Sequence, residues 1–276
     1  MPDADREVRR VISSEQLGLT STDGTQQMPN QIGIGPVMQS LCRACFISSV
    51  MMIVFFATGF VSPARAEATS YPAMAPVNQY LIPDEHTEVA LARTAAPASI
   101  SDRAEVLVLG RDSYRTAVKG TNGFVCLVER SWGATTNSPE FWNPKIRSPI
   151  CANAAAARTY LPGVLMKTKL VLAGKSASDI ARALVSAYDS KELPALEPGA
   201  MCYMMSRQQY LNDDGKSWHP HMMWFVSGDA AETWGANLPD SPALATNVPE
   251  DRMTIFMVLV NHWSNGSPAS ASHTMH

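Results

Sequence analysis

Cysteine is scarce in the part of this chain that can fold. Of five cysteines in 276 residues, only Cys126, Cys151 and Cys202 lie beyond residue 66. Cys42 and Cys45 have a metal-like C-x-x-C spacing but fall inside a targeting segment, so that spacing carries no site. Three cysteines allow one disulfide with one thiol left over, or no disulfide at all, and the three possible pairings stay open. An excess of either charge is also missing, with 22 Lys and Arg against 25 Asp and Glu and a net charge of -3. Without a basic stripe, nucleic acid is not an expected partner. The 19 Pro and 16 Gly follow no period, which excludes collagen-like and solenoid repeats, and a hydrophobic content of 46% argues against a disordered chain. The G-x-G-x-x-G, P-loop, G-x-S-x-G and H-E-x-x-H patterns are absent, so the common nucleotide, serine-hydrolase and zincin readings drop out.

What is present begins with an export signal. Arg43 precedes the uncharged run Phe46–Phe60, and Ala64-Arg-Ala66 follows. These are the n-region, h-region and A-x-A site of a secretory signal peptide, so residues 38–66 are expected to be removed after Ala66. The run falls short of the roughly 20 residues needed to span a bilayer, and Pro63 and Arg65 end it abruptly. Contact with a membrane is therefore expected only through the uncleaved signal. The polar segment 1–37 shows no period and is expected to be disordered, or untranslated if synthesis starts at Met38. The product is placed in the periplasm or outside the cell.

Residues 67–82, rich in Pro and small residues, read as a linker, and residues 83–263 as one domain with a flexible tail over 264–276. Asp84 and Glu85 open a helix to about Thr94 that Pro97 stops. Glu105–Leu109, Tyr114–Val118 and Phe124–Arg130, separated by turn residues, read as a three-stranded meander. Residues 132–150 form a loop carrying Phe141, Trp142, Lys145 and Arg147, long and aromatic enough to suggest ligand contact as well as core plugging. Asn153 caps an Ala-rich helix that Pro162 restarts. Ser176-Ala-Ser-Asp179 resembles a capping box before a helix to about Asp189, with Ile180, Leu184 and Tyr188 on one face. A short helix is expected over 229–234, a loop over 235–250 and a buried strand over 253–260. This pattern predicts an α+β domain, a largely antiparallel sheet with helices packed on one face.

The densest chemistry lies in 198–225, PGAMCYMMSRQQYLNDDGKSWHPHMMWF. The turn formers Asn212–Gly215 make it a β-hairpin with a long tip, strand 201–206 pairing with 218–225. Period-two spacing puts His219 and His221 on one face with Met223 and Phe225, and Cys202 lies on the partner strand. Two imidazoles, a thiol and nearby thioethers suit Zn or Cu(I), with His219, His221 and Cys202 as ligands. The same hairpin can instead hold a small molecule, with His219, His221, Tyr203, Trp142 and Arg147 in contact. Cys202 as nucleophile, His219 or His221 as base and Glu129 as orienting group would make a Cys/His hydrolase. The apolar surroundings of Cys202 weigh against a reactive thiolate. In a third reading the hairpin is simply core, and the chain is a structural or interaction domain with no site.

The segments FVCLVERSW from Phe124, PEFWNPKIRSPIC from Pro139, KTKLVLAGKS from Lys167, and PGAMCYMMS with WHPHMMWF resemble a group of exported bacterial proteins of no known activity. The resemblance runs from about Leu81 to Trp263. It implies export and supplies no activity, cofactor or catalytic residue. The expectation carried forward is an exported binding domain with a small-ligand or soft-metal site at the hairpin.

Overall fold

A computed structural model describes residues 71–269, within the unit Pro63–His276. The expected leader and signal peptide lie outside the described residues. Eight strands form one sheet: β1 (Glu105–Leu109), β2 (Tyr114–Val118), β3 (Val125–Glu129), β4 (Ser148–Ala152), β5 (Met201–Met204), β6 (His221–Ser227), β7 (Leu244–Val248) and β8 (Met253–Leu259). Their order across the sheet is β2-β1-β3-β4-β5-β6-β8-β7, and every neighbouring pair is antiparallel except β1 and β3. The helices are α1 (Glu85–Arg93), α2 (Ala98–Ser101), α3 (Ala154–Thr159), α4 (Leu161–Leu172) and α5 (Ala177–Asp189). The architecture is α+β.

The helices cover both faces of the sheet rather than one. Leu107, Leu127, Ile150 and Phe225 pack with Val164 and Val171 of α4 and with Ile180 and Leu184 of α5. The alternate residues Val106, Cys126, Val128 and Cys151 pack with Ala92, Val89 and Leu91 of α1. The cause is legible in the strands themselves. β1, β3 and β4 are apolar at nearly every position, and such strands need cover on both faces.

The meander is corrected. β3 pairs with β1 in parallel, Val106 opposite Cys126, and β2 is left as an edge strand with Arg115 and Thr116 exposed. The residues expected as a second hairpin turn instead cross the start of β1. Thr121 N–H donates to Arg103 O at 2.8 Å, and Glu105 N–H donates to Phe124 O at 2.8 Å. A Cβ at residue 120 would fall 2.1 Å from Glu105 N, so only glycine lets the chain pass this close. The crossing also brings Cys126 directly opposite Cys151 on β4, and the structure joins these two as a buried disulfide, leaving Cys202 as a buried thiol.

Other elements follow the sequence closely. Asp84 caps α1 through His86 and Thr87 N–H, Asn153 caps α3 through Ala156 N–H, and Ser176 caps α5 through Asp179 N–H. The hairpin is present, and its register, Met204 opposite His221, centres the tip on Asn212 and Asp213. The segment read as a linker, however, contributes Tyr80, fully buried with its ring 5.1 Å from Trp132. Residues 229–234 are turn rather than helix, and the expected loop after them contains β7, the other edge strand of the sheet.

Candidate functional site

Glu129 ends β3, a strand otherwise built to be buried, and the chain folds back over it in the 3-10 turn Ser131–Gly133. A Cβ at residue 133 would sit 2.8 Å from Glu129 Oε2, so the turn lies close against the carboxyl. Glu129 Oε1 accepts a hydrogen bond from Tyr160 Oη at 2.9 Å. Tyr160 sits at the break between α3 and α4, where Pro162 restarts the helix, and its ring stacks on Phe225 of β6 at 4.2 Å. Glu129 Oε2 receives no hydrogen bond from any described residue.

Beside this carboxyl lies a cavity of about 310 Å³, walled by Glu129, Ser131, Tyr160, Met204, Met223 and Ile255 and roofed by Leu211 and Asn212 of the hairpin tip. Ser131 is 2% exposed, and its Oγ finds no hydrogen-bond partner. Burial pushes the Glu129 carboxyl up to about 7. The Tyr160 hydrogen bond and Lys167 pull it down, and Asp251 pushes it further up. Lys167 and Asp251 form their own buried ion pair at 3.0 Å on the far side of Tyr160. Such a carboxyl in a cleft is a group that can either hold a ligand or carry a proton.

A larger groove of about 530 Å³ lies between 188–196 and Ser227–Arg252. Its Asp189 and Arg252 are exposed and bonded to each other, so neither is a buried polar group awaiting a ligand. The Glu129 cavity is the better candidate for that reason.

The residues singled out in the sequence are distributed differently. His221 opens β6, but His219 precedes the strand, so Pro220 breaks the period-two relation between them. His221 is 2% exposed, its ring 4.7 Å from Trp218 and its Nδ1 2.7 Å from the His219 carbonyl, and burial lowers its pKa. Cys202 faces Met223 across the hairpin while His221 faces Met204, so thiol and imidazole are offset diagonally. Burial, then the Glu129 charge, push the Cys202 thiol well up, which keeps it from being the nucleophilic thiolate. Among the described residues no three His, Cys, Asp or Glu side chains group as metal ligands. Tyr203 packs on Phe124 with the α1 cluster, on the sheet face away from Cys202. Arg147 donates to the carbonyls of Pro144, Ile146 and Gln79, and burial lowers its pKa to about 10. Trp142 accepts from Tyr80 Oη through its own carbonyl and packs edge-on against Phe141. The hairpin lines the cavity through its methionines and its tip rather than its histidines.

Tyr160, Ser131 and Gly133 carry no site signal in the sequence. One signal was available: a carboxylate closing a strand buried on both faces has no inexpensive place to go. Scans against protein-family models and searches of curated proteins and of solved structures return no match to this chain.

Proposed function

We propose that this chain is an exported domain that binds a small ligand in the cavity beside Glu129. The observation that carries the reading is the unspent Glu129 Oε2 at the wall of a cavity of about 310 Å³, a volume within the range of small-molecule sites. Apolar walls with a few convergent polar groups are the usual composition of such sites. The Cys126–Cys151 disulfide supports the exported half of the proposal, because buried disulfides persist in oxidising compartments. The Cys/His version is weakened by the burial of the Cys202 thiol, which raises its pKa, and by its diagonal offset from His221.

Native mass spectrometry of protein purified from the periplasm tests this. A small-molecule adduct, released on denaturation, is expected on the wild type and absent from Met223→Trp, which fills the cavity. The same spectrum should place the N-terminus at Glu67. No adduct on the wild type, together with no thermal shift from a mixed metabolite extract, would refute the binding reading.

A further inference from the structure

Granting that binding reading, the side chains around the cavity specify the ligand's chemistry. We infer that the ligand carries an apolar body and a protonated nitrogen, with the nitrogen seated on Glu129 Oε2. The charges at the cavity wall decide this. Among the described residues the one cation at the cavity wall, Arg130, is fully buried and has its charge paired with Glu88 at 2.8 Å, with Nε also on Tyr80 O at 2.6 Å and Nη1 on Val128 O. Lys167, beyond Tyr160, is held by Asp251. An anionic ligand would therefore meet Glu129 and Glu140 with no free positive charge to receive it.

The charge left unpaired at the wall is that of a carboxylate, with one hydroxyl beside it that can donate or accept. Glu129 Oε2 receives no hydrogen bond, and the buried Ser131 Oγ has no partner and can accept a second N–H. An ammonium or amidinium group entering the cavity loses its hydration, which is costly unless a carboxylate replaces the water with charge-assisted hydrogen bonds. Glu129 stands in the reverse position, since its burial disfavours its own charge until a cation arrives. Met204, Met223, Leu211 and Ile255 then take the apolar body, and the methionines adapt their shape to it.

Titration calorimetry with three near-isosteric probes tests the charge: 2-phenylethylamine, 2-phenylethanol and phenylacetate. The amine should bind the wild type tightest. Glu129→Gln should weaken the amine by about tenfold or more while changing the alcohol little. Glutamine keeps an acceptor for Tyr160, and an unchanged circular dichroism spectrum shows that the variant folds. Met223→Trp should abolish amine binding, and amine binding that survives this variant overturns the proposed seat. Phenylacetate or phenylethanol binding as tightly as the amine, or amine affinity indifferent to Glu129→Gln, overturns the inference while leaving a binding cavity in place. If no probe binds, the molecule that co-purifies decides. A basic nitrogen in it supports the inference, its lack overturns the inference alone, and the absence of any such molecule overturns the binding reading as well.

Discussion

Burial of the Glu129 carboxyl costs stability only when it is charged, and that gives the residue a pH signature. Its pKa is near 7 in the folded chain and close to the ordinary carboxylate value when unfolded. The folded state therefore holds the proton more tightly between those values. Stability from this group is fully present below the unfolded pKa and is lost as pH rises towards 7. The loss amounts to roughly 3 kcal/mol at about 1.4 kcal/mol per unit. Tyr160, Lys167, Asp251 and Cys202 face the same carboxyl, and His221 adds the opposite trend, losing stability on acidification because burial lowers its pKa. Comparing wild type with Glu129→Gln cancels these neighbours. The variant should melt higher than wild type at about pH 8, with the gap closing at about pH 5. A gap that stays constant with pH would show that the carboxyl is solvated.

Two features of the core each have a direct check. On α5, Leu184 is fully buried against the sheet, so Leu184→Ala should cost roughly 2 to 5 kcal/mol in urea unfolding, while the exposed Ser178→Ala should cost little. Between β3 and β4 the disulfide closes a loop of 25 residues, for which loss of Cys126 and Cys151 together should cost roughly 3 kcal/mol. These elements also mark where the sequence was legible. Ser176 before Ile180 and Leu184 states a cap and a face, and Asn212-Asp-Asp-Gly215 between apolar runs states a hairpin, though its centre on Asn212 and Asp213 and its shorter first strand come only from the structure. The parallel pairing of β1 and β3 was hidden, because Gly120-Thr-Asn-Gly123 has the composition of a hairpin turn whichever way the chain goes next. β7 was hidden because Leu244-Ala-Thr-Asn-Val248 is half polar, as an edge strand can afford to be. The site was legible only in outline. The hairpin and Glu129 stood out, but Tyr160, Ser131 and Gly133 reach the cavity through helix breaks and a 3-10 turn that carry no periodic signal.

Across the described molecule, a carboxylate ties the cavity's roof to its neighbours. Asp213 at the hairpin tip accepts hydrogen bonds from Tyr210 of the tip, from Tyr71 at the start of the described chain, and from Lys145 and Asn143 of the 132–150 loop. These donors, Tyr210 and Tyr71 foremost, hold the Asp213 carboxyl well below the usual carboxylate range. A depressed carboxylate contributes its stability at every pH above its unfolded pKa and loses it only as pH falls through the folded value, so the cluster stays closed under ordinary conditions. Leu211 and Asn212 from the tip and Ile146 from the loop wall the cavity, so separating tip from loop opens it. The backbone offers a second tie, with Arg147 and Tyr210 exchanging N–H to O hydrogen bonds at 2.9 Å in each direction. The two ties are separable by hydrogen exchange. Asp213→Ala removes the side-chain acceptor and should raise exchange across 139–146 and 211–217 by about tenfold, with the Arg147 and Tyr210 amides and the whole of α5 unchanged. A uniform rise that includes α5 would mean that the tip stabilises the entire domain, and no rise at all would assign the closure of the cavity to the backbone pair alone.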